Sequence, residues 1–228
     1  MSIRYDAKTL GIAAVALVLA AAILSWGYGA YKTRDLRSTV SASLSDAGGR
    51  LRETLTLEPG PASEERLQLA KKLEDHAAAV NRHIEQLKQT QAERDRALTD
   101  DADGYLVTVR EIIRRRAAIN RLYVLHTESL AALRGHMRMD NRTSAWVQQA
   151  VRAKERAEKD FRDYRIAVEA YGALLDTLPP SQKKIAAHVT PAALADEALL
   201  TTARERELQG VKRADAEMEK VRRLAAPK

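Results

Sequence analysis

The chain has 228 residues, a formal net charge of +7 and 30% charged residues, but only 4% aromatic residues and no cysteine. The lack of thiols excludes disulfides, thiolate metal sites, cysteine nucleophiles and an anchor on a lipid-modified cysteine. A composition rich in Ala, Leu, Arg and Glu favours long helices and coiled coils over a β-sandwich or a typical α/β enzyme.

The first element is an uncharged, apolar segment at residues 9–31, preceded by a short tail at residues 1–8. A helix needs roughly 20 apolar residues to cross about 30 Å of hydrocarbon, so this segment is long enough to span a bilayer. Its end carries residues that suit the headgroup level and anionic lipid headgroups: Trp26, Tyr28, Tyr31, Lys32 and Arg34. We therefore predict a single uncleaved transmembrane helix. A cleaved signal peptide is the alternative.

The flanks of this segment give opposing indications of its orientation. The Lys and Arg counts favour a cytoplasmic C-terminal domain, whereas a span so close to the N-terminus favours a signal-anchor that exports the C-terminal domain. We expect a single-pass protein of the cell inner membrane with an exported domain, and a cytoplasmic domain is the alternative. Small residues at four-residue spacing, Ala21, Ser25 and Gly29, would let two such helices pack closely in a homo-oligomer.

Residues 32–62 form the membrane-proximal part of the chain. A helix is predicted over residues 33–57, ended by Pro59-Gly60-Pro61. Apolar residues at steps of three and four give it one apolar face, made of Leu36, Val40, Leu44, Ala47, Leu51 and Leu55. Gly48-Gly49 interrupts this face, and a bend is expected there.

Three long helices are predicted within residues 63–178. They cover about 63–98, 105–139 and 144–178, and they are separated by an acidic turn at residues 99–104 and a turn at residues 140–142. Short loops between long helices make neighbours antiparallel. The second helix of the chain has a heptad seam of Leu73, Ala77, Val80, Ile84 and Leu87. The fourth has the clearest heptads, at Val147, Ala150, Lys154, Ala157, Phe161, Tyr164, Val168, Tyr171, Leu175 and Leu178.

The C-terminal part, residues 179–228, begins with Pro179-Pro180, which is predicted to end the fourth helix. A short helix is expected over residues 181–189. Thr190 is predicted to cap a fifth long helix with Pro191 at its first position. The expected inner face comprises Leu194, Leu208, Val211, Met218 and Val221. The fold class is thus all-α: one transmembrane helix followed by an elongated antiparallel bundle with coiled-coil-like packing.

Arg116, Tyr123 and His126 form a candidate ligand or polar-core site, because the helical period places all three on the inner face of the third helix. A guanidinium there can bind a carboxylate or phosphate between helices, and an internal acidic side chain is the alternative partner. His126 lies among apolar residues, so it is either a neutral core histidine or a pH-sensitive hinge.

Other site chemistries are not expected from the sequence. The acidic turn at residues 99–104 lacks the ligands of a calcium loop at both ends, and His76 and His83 are two turns apart, too far for one metal ion. The chain has neither a glycine-rich phosphate loop nor a nucleophile motif. It also lacks a nucleic-acid recognition motif. We expect no catalytic residue, cofactor, metal or nucleic-acid partner.

These features together favour a membrane-tethered scaffold or adaptor that assembles other proteins through its helical faces. The first alternative is an extracytoplasmic ligand-sensing bundle that signals through a partner. The second is a cytoplasmic coiled-coil adaptor tethered to the membrane.

Overall fold

A computed structural model describes residues 34–89, 95–139 and 143–225. It contains five long helices: α1 at residues 34–56, α2 at Ser63–Gln89, α3 at Arg96–Met137, α4 at Ser144–Ile185 and α5 at Glu197–Ala225. Short 3-10 turns at Ala186–His188 and Pro191–Ala193 connect α4 to α5. The described ranges contain no strand. The all-α class and the packing of the helices into a bundle are therefore confirmed.

The apolar faces of the first two helices are confirmed. All six predicted apolar positions of α1, from Leu36 to Leu55, are buried, as are the five seam residues of α2 from Leu73 to Leu87. Both sets belong to one continuous core that also contains residues of α3, α4 and α5. Burial of large aliphatic side chains contributes roughly 1.5–3 kcal/mol each, so these faces hold the bundle together.

Contacts between side chains show how the helices run. Asn81 of α2 accepts a hydrogen bond from Arg110 of α3, whereas Glu74 of α2 pairs with Arg121. One residue number falls as the other rises, so α2 and α3 are antiparallel. The same relation joins α1 to α2, α3 to α4 and α4 to α5. By contrast, α3 and α5 run parallel, since Arg116 pairs with Glu207 and Arg134 with Glu217.

One side of the α3–α4 pair is covered by α1 and α5 in succession. Helix α1 ends near the middle of α3, where the carbonyl of Leu57 accepts a hydrogen bond from Arg116. Helix α5 begins at Glu197 and reaches the same arginine with Glu207. We call this point, where α1 ends beside α5, the handover level. It is defined by Leu57, Arg116, Tyr171, Arg206 and Glu207.

The predicted acidic turn at residues 99–104 is wrong, because these residues lie within α3. The helix begins at Arg96 rather than Tyr105, so residues 96–98 do not belong to the preceding helix. Leu98 and Ala102 are buried, and the Thr99 hydroxyl donates to the Asp95 carbonyl at 2.7 Å. The apolar stripe of α3 extends through the acidic residues, and its burial outweighs their weak helix propensity.

The predicted helix end at Pro179-Pro180 is also wrong, since α4 continues through both prolines to Ile185. The prolines are on the exposed side, while Leu178, Gln182 and Ile185 remain buried. The separate helix expected over residues 181–189 is therefore the last part of α4 followed by a 3-10 turn.

The start of the fifth helix is corrected as well. Pro191 begins a 3-10 turn, and α5 starts at Glu197, where Asp196 Oδ1 accepts a hydrogen bond from the Leu199 N–H at 2.8 Å. Leu208 is 41% exposed instead of lying on the inner face. The buried residues of α5 are Leu200, Ala203, Glu207, Ala214, Met218 and Val221. Val147 and Lys154 of α4 are likewise exposed, because α4 has fewer neighbours near its N-terminus.

The predicted membrane span at residues 9–31 lies outside the described residues. So do its packing face, Ala21, Ser25 and Gly29, and the interface residues Trp26, Tyr28, Tyr31 and Lys32. Arg34 is described, and it is exposed in the first turn of α1. Among the helices of residues 34–89, 95–139 and 143–225, none is both long enough and apolar enough to cross a membrane.

Candidate functional site

Arg116 is completely buried at the handover level. Its Nε donates to Glu207 Oε1 at 3.4 Å, and its Nη2 donates to the carbonyl of Leu57. The ion pair is buried on both sides, with about 1% of the Arg116 side chain and 5% of the Glu207 side chain exposed. A buried charge is tolerable only when it is paired and hydrogen-bonded, and Glu207 supplies that pairing from inside the chain.

The C-terminal end of α1 is held by two guanidinium groups. Arg206 Nη1 donates to the carbonyls of Leu55 and Leu57 at 2.9 and 3.0 Å, and Arg116 donates to the second of these. The last carbonyls of a helix have no partner within the helix and carry partial negative charge. Cationic donors therefore satisfy them well, and they fix the end of α1 to both α3 and α5.

Glu207 is absent from the residues predicted from the sequence, although a signal for it exists. Leu200, Ala203, Ala214, Met218 and Val221 are buried at heptad-like steps, and the same period places Glu207 on the inner face. The predicted face of α5 instead runs through Leu208, one residue later. Seam positions that include the small residues Ala203 and Ala214 place Glu207 on the buried face of α5, although they do not indicate its partner.

Two polar atoms at the handover level have no hydrogen-bond partner among the described residues: Nη1 of Arg116 and the hydroxyl of Tyr171. Burial raises the pKa of Tyr171 above its usual value, and the nearby Arg116 opposes this effect only in part. The phenol is therefore held neutral. A neutral phenol beside a compensated ion pair can donate a hydrogen bond, but it is poorly suited to act as a base near neutral pH.

Tyr123 lies two turns further along α3, and its ring is covered by a guanidinium. Arg66 Cζ is 3.7 Å from the ring centroid, a cation–π arrangement. Arg66 also donates to Asn120 Oδ1 at 3.4 Å, and the Tyr123 ring packs edge to face on Tyr164 with centroids 5.5 Å apart. The aromatic ring and the arginine thus join α2, α3 and α4.

His126 is enclosed by aromatic rings of α4. Its ring centroid lies 5.3 Å from that of Phe161 and 6.5 Å from that of Tyr164. Burial lowers the pKa of His126 below its ordinary value, and the Asp160 carboxylate offsets only part of this shift. The imidazole is therefore neutral at physiological pH, and placing a proton on it would destabilise the packed state.

The predicted site residues thus lie in one polar strip along α3, but each contacts a different neighbouring side chain. Arg116 meets Glu207, Tyr123 meets Arg66, and His126 meets Phe161. The Arg116 charge is compensated by Glu207 from within the chain, so this ion pair is explained without an external anion. No cluster of three His, Asp or Glu side chains suited to a metal ion occurs in the described ranges. The arrangement stabilises and aligns helices, and it contains no nucleophile paired with a base.

Comparison with protein-family models gave no match. Searches of curated proteins and of solved structures also gave no significant match.

Proposed function

We propose that the chain is a membrane-anchored scaffold that binds partner proteins through the outer faces of its helical bundle and carries no catalytic centre. The bundle is the rigid part of this scaffold, and the apolar segment at residues 9–31 is its single transmembrane anchor. The inner membrane of a bacterium is the proposed location.

The packing of α1 is the observation that carries this proposal. Leu36 and Val40, close to the first described residue, are already buried, and Arg37 pairs with Asp95 at 2.8 Å. Helix α1 is thus part of the bundle core from its first described turns. An apolar anchor joined to such a helix would hold the bundle at a defined distance from the bilayer, as a scaffold requires.

The shape of the bundle also supports a binding role. Helices α3 and α4 have 42 residues each, which corresponds to roughly 63 Å of helix. Their outer faces are charged but carry isolated apolar side chains, such as Val151 and Ile166, which are 50% and 53% exposed. Long, stable helical faces of this kind can hold several partners side by side.

The anchor is tested by fractionation of cells that express the full chain or a variant lacking residues 1–31. We expect the full chain to stay with membranes in high salt and to need detergent for release, because apolar burial is insensitive to salt. The shortened variant should be found in the soluble fraction. A full chain released by salt alone would contradict the anchor.

The scaffold role is tested by photo-crosslinking from three exposed positions on the outer faces of α4 and α5: Val151, Ile166 and Leu208. We expect a discrete adduct with another protein from at least one position, abolished by a neighbouring charge-reversing substitution that leaves thermal unfolding unchanged. Adducts of the chain with itself would support a homo-oligomer. Absence of any adduct from all three positions, despite normal folding, would contradict the proposal.

The side of the membrane is tested with a unique thiol, since the chain has no cysteine. Ala187 is exposed in the 3-10 turn after α4, so Ala187→Cys should react readily. Labelling of intact cells by a membrane-impermeant reagent would support the exported orientation. Labelling only after lysis would support the alternative, a cytoplasmic adaptor.

A further inference from the structure

Helix α5 buries few large apolar side chains for its length. It has 29 residues, and its described side chains include three large apolar ones that are buried: Leu200, Met218 and Val221. Helix α1, described over residues 34–56, buries five: Leu36, Val40, Leu44, Leu51 and Leu55. Most helical stability in proteins comes from packing of the apolar face, so apolar packing holds α5 on the bundle less firmly than α1.

The middle of α5 is held by small and charged groups. The buried positions within residues 201–217 are Ala203, Glu207 and Ala214, with Val211 half-buried. Glu207 is paired with Arg116 of α3. A buried ion pair adds little net stability, because the loss of hydration offsets the attraction between the charges. The middle of α5 can therefore separate from the bundle at a lower free-energy cost than a helix with an apolar seam.

Two further ion pairs that join α5 to the α3–α4 pair are partly exposed to solvent. Glu217 pairs with Arg134 of α3, and Arg222 pairs with Glu158 of α4 at 3.8 Å. Between 35% and 48% of each side chain is exposed, and ion pairs of this kind contribute little to stability. Water and salt can therefore replace these contacts when α5 separates.

The segment before α5 is fixed to the bundle. Arg52 of α1 donates to the Leu194 carbonyl at 2.9 Å, and Gln182 of α4 donates to the Ala195 carbonyl at 2.9 Å. These hydrogen bonds keep the α4–α5 connection in place. Helix α5 can therefore swing away from its first turn while the rest of the bundle remains folded.

Apolar side chains of α3 and α4 lie beneath α5. Leu133 and Met137 of α3 meet Met218 and Val221 of α5 around a cavity of about 190 Å³. Methionine side chains adapt to different neighbours, and they are common on surfaces that bind several partners. Release of α5 would open this cavity into a groove with an apolar floor.

Gly210 brings the middle of α5 against a buried tyrosine of α4. A Cβ at this position would lie 2.6 Å from the Tyr164 hydroxyl oxygen. Tyr164 is 1% exposed, and its ring packs on those of Tyr123 and His126, so it cannot move aside easily. A side chain at position 210 would therefore push α5 away from α4, which provides a specific means of opening the groove.

We propose that α5 is a releasable strap over a groove between α3 and α4, and that the open groove binds an amphipathic helix of a partner protein. The charges of α5 specify this helix. Glu207 and Glu217 face arginines of α3, whereas Arg204 and Arg222 face acids of α4. The partner helix carries the same pattern, with acids on one edge and bases on the other. The groove lies beneath α5, so it goes beyond the outer faces of the proposed scaffold function and does not depend on them.

Hydrogen exchange of the full chain in detergent micelles tests the release of α5. We expect the amides of residues 201–221 to exchange at least about tenfold faster than those of residues 112–130 in α3, because local opening exposes α5 alone. Equal protection of the two segments would overturn the proposal.

Two glycine variants distinguish release of α5 from general loosening. Gly135 of α3 is exposed, with no atom within 4 Å of a Cβ built there, so it is the matched control for Gly210. We expect Gly210→Leu to speed exchange in α5 by about tenfold and to leave residues 112–130 unchanged. Gly135→Leu should change neither segment. If Gly210→Leu speeds exchange in both segments alike, α5 does not open by itself and the strap is rejected.

A fluorescent peptide of residues 197–225 is the probe for the open groove. We expect it to bind the full chain carrying Gly210→Leu at least about tenfold more tightly than the unaltered chain, because apparent affinity scales with the open fraction. A peptide carrying Glu207→Arg and Glu217→Arg should not bind, because its new side chains would meet the two arginines of α3. Equal binding of the two peptides, or no binding to the Gly210→Leu chain, would reject the groove as a helix-binding site.

Discussion

Arg116 shows at the scale of one residue how a charge can be kept inside a helical bundle. Its guanidinium bonds to Glu207 of α5 and to the end of α1, so one side chain connects three helices. A buried ion pair contributes little net stability compared with apolar residues of the same volume, but loss of one partner leaves an uncompensated charge. The pair therefore contributes more to the alignment of α1, α3 and α5 than to the free energy of unfolding.

A double-mutant cycle tests this account of Arg116. We expect Arg116→Met alone and Glu207→Met alone each to lower the free energy of unfolding by roughly 3–5 kcal/mol. The double variant should be much less destabilised than the sum of the two, because no charge remains buried. Urea unfolding of the four proteins gives the coupling free energy. Simple additivity would show that the two side chains do not interact.

The packing of His126 makes stability depend on pH. Because its pKa is lowered in the folded state, the unfolded chain binds more protons than the folded chain below about pH 6.5. Its contribution to stability is present above the unfolded pKa and is lost as the pH falls toward the folded pKa. We expect His126→Leu to flatten the decline in unfolding free energy between about pH 7 and pH 5, as measured by urea unfolding.

His76 serves as the comparison for this pH dependence. Burial lowers its pKa too, but the Glu53 carboxylate opposes the shift, with His76 Nε2 3.6 Å from Glu53 Oε2. We expect His76→Gln to flatten the decline less than His126→Leu. If His126→Leu leaves the decline unchanged, protonation of this imidazole does not act on the packing of α3 against α4.

At the scale of the element, close contact between backbones explains the glycine pair of α1. The helix runs without a break through Gly48 and Gly49, so this pair does not end it. Gly48 is buried, and a Cβ there would overlap the carbonyl oxygen of Ala193 in the 3-10 segment. Gly49 is exposed, with no atom within 4 Å of such a Cβ. The first glycine allows the α4–α5 connection to lie against α1, and the second has no such contact.

Alanine substitution should therefore have opposite effects at these two adjacent positions. We expect Gly49→Ala to stabilise the protein by about 0.5–1 kcal/mol, because alanine is the better helix former. Gly48→Ala should destabilise it by about 1–3 kcal/mol, because the Ala193 carbonyl must move. Thermal unfolding of both variants measures the difference. Equal stabilisation by both would contradict the close approach.

At the scale of the whole molecule, two helices cover one side of the α3–α4 pair in succession. Helix α1 covers the first part and α5 covers the second, and they meet at the handover level. Helix α1 is therefore an integral part of the bundle, because its six buried apolar residues belong to the same core as residues of the other four helices. Loss of α1 would therefore expose part of this common core to solvent.

Two truncations distinguish this integral role from that of a detachable linker. A variant lacking residues 1–33 should keep a cooperative unfolding transition, because all of the described α1 remains. A variant lacking residues 1–61 should lose that transition. The burial of six apolar side chains stabilises the folded state by roughly 1–3 kcal/mol each, and their total is comparable to the whole 5–15 kcal/mol stability of an ordinary domain. Cooperative unfolding of the shorter chain would contradict the shared core.

The sequence by itself determined the all-α class, the apolar faces of α1 and α2, and the position of Arg116 on the inner face of α3. These features arise from helical periodicity, which depends only on local geometry. The transmembrane anchor remains a prediction from the same kind of local signal, because residues 9–31 lie before the first described residue.

Only the tertiary structure decided where helices begin and end and which polar groups meet. Acidic residues at 99–104 and the pair Pro179-Pro180 are strong local signals against helix, yet both lie inside helices, because burial of the neighbouring apolar stripe outweighs local propensity. The partnership of Arg116 with Glu207 spans 91 positions of sequence. Such a contact depends on the alignment of α3 with α5, which is set by packing across the whole core and has no signature in either segment alone.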